Sequence, residues 1–518
     1  MQVASINNCA IVVDAADNVA VVKTPLAPGA LVEIAGGRNI CITGNITPGN
    51  RFATRSIPAG DLVLQYGQPI GTSLGIAEGD PVSHANMSND VPLRRDLPSN
   101  LRNDPPHYLP KGEVPTFMGF RRPDRRVGTR NYVLIIPTSM CSSHEALQIA
   151  TIAEFTIYSR EKYPNVDGIV AIPHNKGCGC PDGSNVEILL RVLANYADHP
   201  NVGGVVLLEL GCEKTNLSVV EQHLQKFKRS MTKPLVRIGV QDVGGTQAAI
   251  QRGLDAVREM LPVINETRRE LCSMSDLVLG VKCGASDAFS GISANPSLGR
   301  SADKLVCSGG TVLITEVPEF CGAEHILAHR AKDMETGRDV YRIVDWYKAY
   351  AKKFGAAVAE NPSPGNIEGG LLNITIKSLG AIAKAGTTRV EGVVEYGEPP
   401  MSKGLHLMQG PGYDQESTPA LVAAGATVVV FTTGRGSTIG NAIVPVIKLA
   451  SNSAIFRRMP GDLDLSAGGV IDGSETIDGV AGRLFDYIRQ TAGGEIQTKA
   501  EQVKHREFQV WSEQAVSL

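Results

Sequence analysis

Sulfur and oxygen donors recur in short, glycine-bordered segments along this chain of 518 residues. They read 174-HNKGCGC-180, 211-GCEK-214, 283-CGASDAFSGISANP-296, 360-ENPSPGN-366 and 432-TTGRGS-437. Each follows an apolar run or lies between helical patterns. Ligands of open α/β sheets gather at strand ends, where glycine-rich loops expose backbone N–H groups. The segments are therefore expected to converge on one rim. Cys178, Cys212 and Cys283 would present thiolates there, soft ligands suited to a ferrous ion or an iron–sulfur cluster. Three such ligands leave one metal position open for substrate. Spacing alone equally admits three separate buried cysteines in tight turns, since CxxC pairs are missing.

His174 closes an apolar run and reads either as a metal ligand or base, or as a loop histidine bonded to backbone. Ser286 and Asp287 offer a hydroxyl and a carboxylate beside Cys283, or an N-cap pair opening a helical turn. Asn361, Ser363, Gly365, Asn366, Thr432, Thr433 and Arg435 suit a hydroxylated anion, with Arg435 forking onto a carboxylate. Turn chemistry accounts for the same residue types without function. Glu316 and Glu319 read as strand-end acids of lesser weight, and Glu213 and Lys214 as a local pair. Lys377, Lys384 and Lys448 fall on helical patterns and are expected to be solvated. Gly434-Arg435-Gly436 lacks the GxxxxGK[ST] context of a nucleotide loop, which excludes nucleotide binding there.

Taken in order, GTRN at Gly128–Asn131, GCEK, CGASDAFSGISANP, EVPE at Glu316–Glu319, NPSPGN and FTTGRG resemble the altronate and galactarate dehydratase family. The resemblance spans almost the whole chain. It implies an N-terminal SAF (antifreeze-like, β-clip) domain and a metal-dependent hydro-lyase, using iron or another divalent metal. The expected reaction converts an aldonic or aldaric acid to a 2-keto-3-deoxy acid. Where the family usually has CGGSD, this chain has Ala285, and Asn50 replaces the histidine of a Gly-His pair. Such a dehydration removes a weakly acidic proton α to a carboxylate, so the enediolate must be stabilised, most simply by a metal. A base, here His174 or Asp287, takes the proton, and an acid helps the β-hydroxyl leave. The alternatives are a lyase of the same fold acting on another α-hydroxy acid such as sulfolactate, or a non-catalytic sugar-acid-binding protein.

The elements that must hold these residues follow from patterning. Residues 1–90 carry short β-type runs between Pro-Gly and Gly-Gly turns, a small all-β SAF-like domain. Residues 91–114 form a proline-rich linker laid along the surface. Apolar strands then alternate with helices through a first α/β subdomain (115–271) and a second (272–518), each with a mostly parallel sheet and the active site between them. A helix over 246–271 is expected to close the first. Net charge is −3 without a basic stripe, which excludes nucleic acid and membrane partners. The start MQVASINN lacks the basic and apolar regions of a signal peptide, and the ten cysteines are too sparse for a disulfide scaffold. A cytoplasmic homo-oligomer acting on a small sugar acid is the expectation.

Overall fold

The computed structural model describes residues 3–34, 36–226 and 233–513. Two parallel sheets organise it. The smaller has four strands in the order Gly168–Ala171, Tyr132–Pro137, Val202–Glu209, Leu235–Gly239. The larger has seven, in the order Val390–Val394, Gly404–Met408, Thr311–Ile314, Val278–Gly284, Val428–Thr433, Val446–Ala450, Leu465–Ser466. Val, Ile and Leu fill the inner strands because helices cover both faces, as parallel pairing requires. The two units share one core, in which Leu134, Val205 and Tyr196 meet Leu313, Val429 and Phe431.

The expected helix over 246–271 ends at Asn265. Glu270–Ser273 is instead a strand, paired antiparallel with Thr116–Arg121. Leu271 and Cys272 lie at the chain's return to that edge, and tertiary pairing overrides local helical pattern there. The helical pattern of the sequence over 217–231 is seen as a helix at Leu217–Lys226, and residues 227–231 lie outside the described residues. Strands Gly404–Met408 and Val446–Ala450 were not anticipated. Each is a five-residue run, interrupted by His406 in one and Lys448 in the other, too short to distinguish strand from buried helix.

The N-terminal β domain is built of three small sheets of three strands each. Its Ile57, Val63, Ile70 and Met87 belong to the same core cluster as Leu298, Ile314 and Ile376 of the larger unit. Close backbone approach seals this seam. A Cβ on Gly370 would meet the Gly49 carbonyl oxygen at 2.1 Å, and Gly370 has φ +94°, so only glycine fits. Residues 91–114 contain no helix or strand. They are pinned to the larger unit by Arg102 N to His329 O (2.8 Å) and Leu109 N to Cys307 O (2.8 Å). No helix among the described residues is long and apolar enough to cross a membrane.

Candidate active site

Val278–Gly284 is the central strand of the larger sheet, with Thr311–Ile314 on one side and Val428–Thr433 on the other. Chain connections diverge from this point, leaving a crevice at the carboxyl ends where ligands of open α/β sheets bind. Cys283 ends the central strand, and Glu316 and Glu319 follow its neighbour. One ligand atom from each of these three residues lies within 4.8 Å of the other two, and all three residues are buried. Cys283 Sγ is 3.2 Å from Glu319 Oε2, and Cys283 N donates to Glu316 Oε2 at 3.2 Å.

Three ammonium groups thread this cluster. Lys282 donates to Glu316, to Asp414 Oδ1 at 2.8 Å and to the Gly412 carbonyl at 3.0 Å. Lys384 lies 2.9 Å from Glu316 Oε2 and 3.1 Å from Cys283 Sγ. Lys377 reaches Glu319 at 2.9 Å and Asn361 Oδ1 at 2.8 Å. Burial and the neighbouring Glu319 push the Glu316 carboxyl upward. Burial opposes ionisation of Glu319 too, but Lys377, Lys384 and Lys282 outweigh it and hold that carboxylate below its usual range. Burial raises the Cys283 thiol, and Glu316 and Glu319 add to that effect. The donor set of one sulfur and two carboxylates fits a divalent ion of intermediate softness such as ferrous iron, which would have to compete with the ammoniums for the same atoms.

The backbone is strained here. Glu316 sits at φ +79° and Ala285 at φ +47°, both in the left-handed region that favours glycine. Glycine would suit position 285 without strain, and this chain holds alanine there at a cost of about 1 kcal/mol. Ala285 O accepts from both Gly434 N (3.1 Å) and Arg435 N (2.8 Å), which locks the turn to the neighbouring strand end.

The structure divides the expected three-cysteine set. Cys178 Sγ lies 4.0 Å from the Cys212 carbonyl oxygen, and both residues are exposed at the end of the smaller sheet. Neither belongs to the Cys283 group. His174 is buried, with Nε2 2.9 Å from the Pro137 carbonyl and Nδ1 accepting from Lys176 N at 3.2 Å. Both ring nitrogens are thereby committed to backbone, and the geometry leaves neither for a metal or a substrate proton. Asp287 accepts from Ser290 N and Ser290 Oγ (2.8 Å each), Ser451 Oγ (2.9 Å) and Asn452 Nδ2 (3.1 Å), the pattern of a turn brace. The buried Ser286 gives its carbonyl to Asn366 Nδ2 at 2.8 Å.

Among the expected substrate residues, Asn361 and Asn366 meet the cluster through Lys377, and Ser363 Oγ donates to Asn366 Oδ1 at 3.0 Å. Gly365 lies against Arg435, which pairs with Glu368 at 2.8 Å. Thr432 and Thr433 are instead fully buried, Thr432 bonded to Asn295 Oδ1 at 2.6 Å and Thr433 accepting from Gly436 N at 3.1 Å. Glu213 and Lys214 do not pair with each other. Glu213 accepts from Thr138 and from Leu210 N and Gly211 N, whereas Lys214 reaches Asp182 at 3.1 Å.

The lysines are the largest correction. Lys384 and Lys448 are fully buried and Lys377 nearly so, and Lys448 stands on a strand with Nζ 3.1 Å from the Ile439 carbonyl. Each buried ammonium is satisfied by carboxylates or carbonyls. A signal existed for two of them, since Lys377 and Lys384 are seven residues apart in the otherwise apolar ITIKSLGAIAKA. Lys282 and Asp414, which sequence reasoning missed, carry weaker signals: a lone lysine in an apolar strand and an acid after a Gly-Tyr turn.

Two expected outcomes follow from this placement. Burial lowers His174 to about 4 from its usual 6.5. Between those values the unfolded chain binds the proton and the folded chain does not, so stability falls as pH drops from 6.5 towards 4, by up to about 3 kcal/mol from this residue. Urea denaturation across that range should show a shallower acid loss in His174→Gln, and an unchanged slope would refute the assignment. Arg435 is 41% exposed and Glu368 73%, so their pair adds about 1 kcal/mol or less to stability. Arg435→Ala is expected to keep its melting temperature while losing about 2–4 kcal/mol in kcat/KM, with Arg435→Lys also impaired. A normal kcat/KM in the alanine variant would remove Arg435 from the site.

Three family models match in chain order. They are the altronate/galactarate dehydratase SAF domain over residues 8–90, the D-galactarate dehydratase/altronate hydrolase second domain over 119–265 and the D-galactarate/altronate dehydratase C-terminal domain over 274–516. The altronate dehydratase of Bacillus subtilis is 35% identical over 93% of this chain and 94% of its own length. The galactarate dehydratase (L-threo-forming) of Escherichia coli is 34% identical over 88% of each chain. A (2R)-sulfolactate sulfo-lyase subunit beta of Chromohalobacter salexigens is 32% identical over 76% of this chain and 96% of that protein. With its domains matched in order and its length almost fully aligned, the chain belongs to the altronate and galactarate dehydratase family and is a hydro-lyase.

Proposed function

We propose that this protein dehydrates an aldonic or aldaric acid to a 2-keto-3-deoxy acid at the crevice around Cys283. The observation that carries the reading is the buried convergence of Cys283, Glu316 and Glu319 with three lysines. Those three acidic side chains would hold a divalent ion. When bound, such an ion polarises the substrate carboxylate and stabilises charge developing on it. Lys282 and Lys384 add fixed positive charge in a region of low dielectric, where it counts for more than in water. Asp414 is the cluster's solvent-reaching carboxylate, 28% exposed at its side chain. Its Oδ1 is held by Lys282, while Oδ2 accepts no hydrogen bond from any described residue. It is assigned as the base that takes the α-proton, in place of His174 and Asp287. Lys377, at the edge nearest the Asn361–Asn366 loop, donates the proton that lets the β-hydroxyl leave as water. Arg435 forks onto a carboxylate of the substrate.

The relative acting on sulfolactate aligns over 76% of this chain, against 93% for the altronate dehydratase, and a matched SAF domain favours the sugar-acid reading. The test is anaerobic purification with metal and sulfide analysis, followed by turnover of altronate, galactarate and sulfolactate. Chelation should abolish activity and ferrous iron restore it. Cys283→Ser should lose bound metal, and Cys178→Ser should keep it. Full turnover by metal-free protein, or sulfite release from sulfolactate as the preferred reaction, would overturn the proposal.

A further inference from the structure

A cavity of about 550 Å³ opens where the SAF domain, the segment after it and the larger α/β unit meet. Arg94, Arg102, Arg330, His325, His329 and Tyr66 line it, and no Asp or Glu among the described residues is in its wall. The carboxylates acting from behind it, Asp96, Glu324 and Asp303, have other engagements in two cases. Glu324 faces Lys348 at 3.3 Å and Arg95 at 3.8 Å, and Asp303 accepts from Thr387 Oγ1 at 2.9 Å.

Arg330 is the informative residue. It is 9% exposed, and its two terminal nitrogens donate to the Gly386 and Ala385 carbonyls. Among the described residues no carboxylate forms an ion pair with it, Asp303 acting only at longer range, and its buried Nε has no hydrogen-bond partner there. Tyr66 contributes to the same wall, but its hydroxyl is buried against Gly291 and Gly380. Arg94 and Arg102 form no ion pair among the described residues. They are carried to the cavity because the linker is tied down between them, by His329 Nε2 to Asp96 O at 2.9 Å and Arg102 N to His329 O at 2.8 Å. A buried guanidinium without a counter-ion is costly, and converging ones make an oxyanion site.

We propose that this cavity binds a small oxyanion with at least two negative charges, of the phosphate or dicarboxylate kind, separately from the crevice around Cys283. The wall includes Ala383 and Gly386, which flank Lys384. Because Arg330 grips the carbonyls of this turn and Lys384 reaches Cys283 and Glu316, an anion that redirects Arg330 acts on the crevice through one short element.

The test is calorimetric titration of the full-length protein with inorganic phosphate and, separately, with malonate. At least one should bind, and Arg94→Ala/Arg102→Ala should weaken that binding tenfold or more. Arg338→Ala, at an exposed helix arginine outside the cavity, should not change it. Binding of phosphate alone assigns a phosphoryl ligand, of malonate alone a dicarboxylate, and of both the shared oxyanion chemistry. Absence of binding by either, or equal binding by the double variant, overturns the proposal. No turnover is measured, so failure here leaves the dehydratase reading standing.

Discussion

Lys384→Met is expected to destabilise the protein by about 3–5 kcal/mol, the cost of leaving a buried charge without its partner. Lys384 is fully buried and faces Glu316 Oε2 at 2.9 Å and Cys283 Sγ at 3.1 Å. Glu316 is equally buried, and methionine offers it nothing in return. Lys282 remains beside Glu316, so partial compensation keeps the loss near the lower end of that range. Pairing the change with Glu316→Gln removes the orphaned carboxylate, so the double variant should be more stable than the sum of the single losses implies. Chemical denaturation of the four proteins gives the coupling directly. A Lys384→Met protein as stable as the parent would mean that the carboxyl is already protonated, and the charge network described here would not exist.

Asp414→Asn should lower kcat by about two to four orders of magnitude, the usual contribution of a positioned base. Asparagine is close in shape and retains an oxygen for the Lys282 ammonium, so folding and metal content should survive. The position is confined on its other side as well, since a Cβ on Gly284 would lie 2.6 Å from Asp414 Oδ2. That contact places the carboxylate directly beside the end of the central strand. Loss of proton exchange at the substrate α-carbon in deuterated water should accompany the fall in kcat. A variant with unchanged exchange and slow turnover would show Asp414 acting at another step. A variant with kcat within about threefold of the parent would exclude it from proton transfer altogether.

Much of the architecture is legible in the chain. Alternation of Val- and Ile-rich runs with helical patterns identifies parallel sheets, because strands covered on both faces must be apolar throughout. Turn-bounded short runs identify the all-β N-terminal domain, and the ordered motifs identify the family. The residues of the buried cluster and of the loop beside it, Cys283, Glu316, Glu319, Asn361 and Asn366, all come from segments read as strand ends or glycine-rich turns.

Which of these residues work together is decided only by tertiary structure. Cys178, Cys212 and Cys283 look alike in sequence, but strand order sends Cys283 to one sheet and the other two to the end of another. Lys377 and Lys384 read as solvated because lysine on a helix usually is, yet packing turns that helix inward onto Glu319, Glu316 and Cys283. His174 follows an apolar strand as its residue type and position suggested, but both of its nitrogens are spent on backbone. The sequence by itself determined the layers, the loops and the chemical inventory, because these follow from periodicity and residue type. The grouping of buried charges was settled by the fold, because each ammonium or carboxylate leaves water only where a partner from a distant strand or helix is waiting.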